Sequence, residues 1–131
     1  MARILLAEDN DMIRDSILEA FPAYDFVAFN DGKPAFERLL VDREFDLVIT
    51  DFSMPEMSGA DLLRAIRNHR IPIKVMLMSC FVTDELSVAS YLKEGFDDAI
   101  AKPFDLHVMS EKIHKLTEGH YGGQIVIPTI T

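Results

Sequence analysis

Leu47-Val48-Ile49-Thr50-Asp51-Phe52-Ser53-Met54-Pro55-Glu56-Met57-Ser58-Gly59 holds a strand, a loop and a helix start in thirteen residues. Leu47-Val48-Ile49 is an unbroken apolar run, the pattern of a strand buried on both faces. The run stops at Asp51, where the chain meets solvent. Met54-Pro55 bars both strand and helix, because proline lacks a donor and restricts the residue before it. Ser58 can cap a helix that begins near Gly59. A carboxylate therefore stands at the carboxyl end of a buried strand, on a loop leading into a helix. Ligands gather at that position in open α/β sheets.

The same alternation continues upstream. Ile4-Leu5-Leu6-Ala7 reads as a buried strand ending at Glu8-Asp9-Asn10. Asn10 or Asp11 can cap the following helix, whose apolar face is Ile13, Ile17, Ala20 and Phe21. Phe26-Val27-Ala28-Phe29 is a second strand, closed by the turn residues Asn30-Asp31-Gly32. The next helix tolerates Pro34 in its first turn and turns Phe36, Leu39 and Leu40 inward.

Downstream, a helix with Leu62, Leu63 and Ile66 on one face ends before Pro72. Residues 73–78 form a fourth strand that ends at Ser79-Cys80. A helix over 84–94 stops at Gly95. Ala99-Ile100-Ala101 is a short fifth strand ending at Lys102-Pro103, and Leu106, Met109, Ile113 and Leu116 stripe a last helix. Five βα units predict one α/β domain, a five-stranded parallel sheet with helices on both faces and right-handed crossovers. Residues 119–131 fall outside the repeat. Gly122-Gly123 suggests a hinge and Ile125-Val126-Ile127 looks strand-like, so this tail reads as a linker, a dimer arm or a disordered end.

Composition narrows the function. Of 131 residues 49% are hydrophobic, enough for a full core, and nine phenylalanines supply the aromatic bulk in the absence of tryptophan. The formal charge of −9 argues against direct nucleic-acid binding, which needs a basic footprint, and leaves room for a divalent cation or a basic partner surface. A single cysteine, Cys80, excludes a disulfide framework and a cysteine zinc cluster, and it reads as a buried structural thiol. The apolar run at the start of the chain, Ile4-Leu5-Leu6-Ala7, is far too short for a signal peptide or a membrane span, so a soluble cytoplasmic protein is expected. His69, His107, His114 and His120 read as solvated, Met54, Met57, Met76 and Met78 as core or loop filler, and Asp97-Asp98 as a turn.

Chemistry-bearing residues end every strand but the second: Glu8 and Asp9, Asp51, Ser79 and Lys102. A parallel sheet points these ends to one edge, so the side chains should converge. Carboxylates that crowd together repel, and Mg²⁺, which takes oxygen ligands at about 2.0–2.1 Å, would relieve the repulsion. Lys102 adds a mobile charge suited to phosphate oxygens and Ser79 a hydroxyl donor. The set fits phosphoryl transfer to a carboxylate, with Asp51 attacking while metal and lysine neutralise charge on the transferring group.

These motifs, Glu8-Asp9, Asp51, Met54-Pro55 with Gly59, Ser79 and Lys102-Pro103, resemble the receiver domain of two-component response regulators. The resemblance covers nearly the whole chain, with residues 1–118 as the receiver domain and 119–131 as a C-terminal tail or linker. It implies a flavodoxin-like sheet in the order 2-1-3-4-5. It implies that Asp51 accepts a phosphoryl group from a histidine kinase or a histidine phosphotransfer protein. It further implies Mg²⁺ held by Asp9, Asp51 and the main-chain carbonyl of Ser53, with Glu8 acting through water. Ser79 and Lys102 would contact the phosphoryl group, and the Lys102-Pro103 bond would be cis. The face of helix 4, strand 5 and helix 5 would then engage a downstream protein target, and a homodimer is compatible. The protein would assist its own labelling and hydrolysis without turning over a separate substrate.

The chain departs from the family at Ala99, where relatives usually carry Tyr or Phe three residues before the lysine. Tyr91 and Phe96 are large where relatives are small; either Tyr91 or Phe96 fills the space left at Ala99, or the exchange is plain drift in packing. The alternative function is a non-phosphorylated pseudo-receiver acting as an interaction module, against which the retained acidic pocket argues. A flavodoxin would want a glycine- and hydroxyl-rich loop where Glu8-Asp9-Asn10-Asp11 stands, and a haloacid-dehalogenase-type phosphatase would want Asp where Ser53 stands. The chain is read either as a single-domain regulator or as the front of a longer one.

Overall fold

The computed structural model describes residues 1–117, in which five strands alternate with five helices. They are β1 (Arg3–Ala7), α1 (Asp11–Ala20), β2 (Asp25–Phe29), α2 (Gly32–Val41), β3 (Leu47–Asp51), α3 (Gly59–Asn68), β4 (Lys74–Ser79), α4 (Glu85–Glu94), β5 (Asp98–Ala101) and α5 (Leu106–Thr117). All neighbouring strands are parallel, in the order β2-β1-β3-β4-β5. The residues expected to form a tail, 119–131, lie outside the described residues.

Local chemistry starts and stops the helices where the sequence placed them. The Asn10 side chain accepts from the Ile13 N–H at the head of α1, and Asp31 accepts from Lys33 N–H at the head of α2. Ser58 with Asp61 and Asp84 with Ser87 each close a reciprocal cap, satisfying two otherwise orphaned donors. Gly95 ends α4 at φ 116°, a left-handed conformation that a Cβ would oppose.

Successive strand residues point to opposite faces, and the core divides accordingly. Leu5, Ala7, Val48, Val75, Leu77 and Ala99 pack with Leu39 of α2 and Leu62 and Ile66 of α3. Ile4, Leu6, Leu47, Ile49, Met76, Met78 and Ile100 pack with Ile17 of α1 and Met109, Ile113 and Leu116 of α5. β3 is buried along its whole length, as its apolar run requires. Each fully buried Leu or Ile stabilises the fold by about 1.5–3 kcal/mol. By contrast α4 buries no residue completely; Val88 and Tyr91 are partly buried against the first cluster.

Several side chains differ from expectation. Leu40 is exposed, because the buried stripe of α2 runs through Gly32, Ala35 and Leu39 and the next residue is rotated by 100°. Leu106 is exposed in the first turn of α5, ahead of the buried stripe that begins at Met109. Asp98 is not a turn residue. It opens β5, buried, accepting from Ala99 N–H and from the Lys112 ammonium, each at 2.8 Å. Asp97 does lie in the turn, where it bonds Val75 N–H and Arg67.

The strand register sets the site. Ala7 lies beside Thr50, so Glu8 is level with Asp51. Asp51 lies beside Met78, and Ser79 beside Ala101, so Ser79 and Lys102 reach the same edge.

Candidate functional site

Glu8, Asp9 and Asp51 offer carboxylate oxygens that all lie within 4.8 Å of one another. Glu8 is wholly buried, Asp51 nearly so, and Asp9 exposed, so the cluster opens to solvent on the Asp9 side. Lys102 Nζ lies 2.9 Å from Glu8 Oε1 and 3.0 Å from Asp51 Oδ1. The second Glu8 oxygen accepts from Asn10 N–H at 3.0 Å. Burial pushes the Glu8 carboxyl above its usual range and the nearby Asp51 charge adds to this, while the Asn10 N–H and Lys102 oppose it. For Lys102, burial acts against the charge, but the bonds to Glu8 and Asp51 outweigh it and raise its pKa. The ammonium is thus held charged between two acids.

The end of β5 is fixed onto β4 by the Lys102 N–H, which donates to the Ser79 carbonyl at 3.0 Å. The Lys102-Pro103 bond is cis, as the resemblance implied. Ser79 is buried, and its hydroxyl oxygen accepts from Phe81 N–H at 3.0 Å, so its proton remains to be donated. Its hydroxyl is therefore at the right edge but engaged with the β4–α4 loop and not with Asp51 or Lys102. Ser53 is exposed on the loop beyond β3, two residues past Asp51.

The β3–α3 loop is closed at its base by Gly59. The Gly59 N–H donates to Phe52 O at 2.9 Å, and a Cβ at Gly59 would lie 2.4 Å from the Asp51 carbonyl oxygen. Glycine is required here to let α3 start against the strand end that carries Asp51.

The donor set fits the expected metal. Every ligating group is a carboxylate oxygen, a hard donor, one face is open to water, and no cysteine or histidine stands in the cluster. Asp9 and Asp51, with Glu8 behind them, are the residues that could hold Mg²⁺.

Beside Ala99, the Tyr91 and Phe96 rings pack into the same apolar cluster, their centroids 6.1 Å apart, and Tyr91 continues to Phe52 at 6.0 Å. A cavity of about 400 Å³ between α4 and α5 nevertheless remains, lined by Val82, Val88, Ala99 and Val108 among others and by neither ring. The two rings therefore share one apolar cluster with Ala99, which is itself wholly buried.

Two minor readings are corrected. Cys80 is exposed, since it follows the last strand residue and turns out with the loop. His114 is only half exposed and its Nε2 is buried without a hydrogen-bond partner among the described residues, because α5 turns that edge toward the core. His69 and His107 are exposed, and His120 lies outside the described residues. Reading the sequence also missed Arg14, whose guanidinium donates to the Glu8 carbonyl at 2.9 Å. A basic residue one turn into α1 carries no signal of that contact.

Comparison with known proteins agrees with the geometry. The sequence model described as the response regulator receiver domain matches residues 4–114. Response regulator protein PmrA of Pseudomonas aeruginosa is 36% identical over 116 residues, covering 88% of this chain and 52% of that protein. Response regulator receiver protein CpdR of Brucella abortus is 34% identical over 120 residues, covering 88% of this chain and 97% of that protein. The solved receiver domain of the Francisella response regulator 1452 matches with a TM-score of 0.84 at 25% identity, over 92% of this chain and 99% of its own. The chain thus spans about half the length of PmrA and nearly all of CpdR.

Proposed function

The chain belongs to the response regulator receiver domain family, and on that premise we propose that it is a phosphorylatable switch in which Asp51 is the phosphoryl acceptor. The observation that carries this reading is the convergence of Lys102 on Glu8 and Asp51 at one strand edge. A carboxylate oxygen of Asp51 attacks phosphorus, the bond from phosphorus to the donor nitrogen breaks, and an acyl phosphate forms. Lys102 follows the charge onto the phosphoryl oxygens. The Ser79 proton, not used toward Phe81, is donated to one of those oxygens. Mg²⁺ held by Asp9, Asp51 and the Ser53 carbonyl, with Glu8 acting through water, would supply charge neutralisation there. The phosphoryl donor is a histidine kinase or a histidine phosphotransfer protein, and no separate substrate is turned over.

Phosphorylation then biases the face made by α4, β5 and α5 toward a protein target. Two features support that choice. α4 has no fully buried residue, so its position depends on few contacts. A groove between α4 and α5 and the exposed Leu106 and Val108 lie on that face. The receiver unit spans residues 1–118, with 119–131 as a tail or linker, and it acts in the cytoplasm. No helix among the described residues is long and apolar enough to cross a membrane.

The test is incubation with Mg²⁺ and a small phosphodonor. One acid-stable, base-labile label per chain on the wild type, absent from Asp51→Asn, is expected. An unlabelled wild type, or equal labelling of the variant, would leave the interaction module as the function.

A further inference from the structure

Asp31, which caps α2 and lies outside the acidic cluster, is 6% exposed and makes three hydrogen bonds to backbone donors. Its Oδ1 accepts from Lys33 N–H at 3.1 Å and from Met57 N–H at 2.9 Å, and its Oδ2 accepts from Glu56 N–H at 3.0 Å. The first bond caps α2. The other two cross 25 and 26 residues of sequence to the β3–α3 loop. A Cβ on Gly32 would lie 2.5 Å from the Met57 carbonyl oxygen, so the start of α2 and this loop meet backbone to backbone.

The loop from Phe52 to Ser58 is therefore pinned twice. Gly59 holds its base against Asp51 and Phe52, and Asp31 holds its far side at Glu56 and Met57. Ser53 lies between the two pins. We propose that Asp31 is a positioning residue for the metal site, its carboxylate latching residues 56–57 and so setting where the Ser53 carbonyl stands relative to Asp9 and Asp51. This rests on the reading of the Asp51 edge as an Mg²⁺ site. Asp31 itself touches neither the metal nor the phosphoryl group.

A carboxylate is needed because both of its oxygens face N–H donors. Asparagine keeps the shape but offers one acceptor oxygen, and its amide N–H would confront either the Glu56 N–H or the pair from Lys33 and Met57. An unsatisfied buried donor releases the loop on that side.

The test uses the full chain and amide NMR with Mg²⁺ titration on the wild type, Asp31→Asn and Gly32→Ala. In the wild type, the Glu56 and Met57 amides are expected to exchange slowly with solvent, and Mg²⁺ to shift the amides that flank Ser53 along a single-site curve. In Asp31→Asn those two amides should exchange faster, and the Mg²⁺ dissociation constant should rise about 10–100-fold, the cost of losing support behind a metal ligand. The maximal labelling rate at saturating Mg²⁺ should stay near the wild-type value, since no reacting group has changed. A folded Asp31→Asn that binds Mg²⁺ as tightly as the wild type would overturn the role of Asp31 and leave the site reading intact. A wild type that takes up no Mg²⁺ would overturn the site reading itself. Should Asp31→Asn fail to fold, Gly32→Ala, which presses on Met57 with the carboxylate retained, decides the matter: unchanged Mg²⁺ affinity there would refute the latch.

Discussion

Lys102 Nζ and Asp51 Oδ1 lie 3.0 Å apart although 51 residues separate them in the chain. The contact spans from the end of β5 to the end of β3, across the intervening β4. It exists because the register brings every strand end to one level and because Lys102 is long enough to cross the gap. The same ammonium touches Glu8, which is wholly buried. One cation therefore serves two acids that would otherwise repel each other in a poorly solvated place.

Lys102→Met should expose that repulsion. Removing one partner of a buried ion pair costs about 3–5 kcal/mol when no relief exists. Here Glu8 can take up a proton and the cluster opens to water at Asp9, so a loss of about 1–3 kcal/mol is expected. Urea unfolding at neutral pH without divalent metal measures it, and added Mg²⁺ should recover part of the loss. Labelling of Asp51 should slow by about 10²-fold or more, since a charge aimed at the phosphoryl oxygens is gone.

Gly59→Ala should damage the site without touching a reacting group. Its Cβ would meet the Asp51 carbonyl oxygen at 2.4 Å, backbone that cannot swing aside. Overpacking of this kind costs about 1–3 kcal/mol. A displacement of Asp51 by even one ångström should slow labelling by about 10²-fold. Thermal melts and labelling rates of the same preparation should fall together.

Asp31 gives the pH dependence a defined sign. Burial opposes its charge, but the N–H groups of Glu56, Lys33 and Met57 outweigh burial and hold the carboxyl below the usual aspartate range. A depressed folded pKa stabilises the fold above the unfolded value of about 3.9, and that stabilisation is lost as pH falls through the lower folded value. The gap in stability between wild type and Asp31→Asn should therefore be full at neutral pH and shrink only below about pH 4. Denaturant melts across the acid range test this, and a pH-independent gap would count against it.

Arg3→Ala should act on stability alone. The guanidinium lies over the Phe45 ring, 4.3 Å from its centroid, and bonds Asp42 at 2.9 Å and the Glu44 carbonyl at 3.3 Å. A half-exposed cation–π contact and ion pair together contribute about 1–2 kcal/mol. Arg3→Lys should recover only part, because an ammonium cannot stack and bond in the same geometry. Labelling of Asp51 at a temperature where both variants are folded should match the wild type.

The fold was largely legible because its signals are local. An apolar run such as Leu47-Val48-Ile49 announces a buried strand, Ser58 and Asp84 announce helix starts, and Gly95 a helix end. The acids and Lys102 could be placed at one edge because parallel strands admit no other arrangement. What escaped the sequence depends on contacts between distant segments. Asp31 read as a turn residue, and nothing in Asn30-Asp31-Gly32 tells that its carboxylate also holds Glu56 and Met57. Leu40 and Leu106 are apolar at near-helical spacing, yet one step of rotation or one turn of helix puts them in water. Cys80 misled because free cysteine is usually buried, whereas here the strand ends one residue earlier. Asp98 reads as a turn in the sequence because buried acids are rare, and its partner Lys112 lies 14 residues away.

Thermal unfolding against Mg²⁺ concentration, comparing the wild type with Asp9→Asn, asks whether the acidic edge holds a metal. A metal that binds only the folded chain adds about 1.4 kcal/mol for each tenfold excess over its dissociation constant. The wild-type midpoint should climb steadily through the millimolar range, while Asp9→Asn, with one acid fewer, should start higher without metal and respond little. A wild type indifferent to Mg²⁺, or an Asp9→Asn that climbs as the wild type does, would contradict the account.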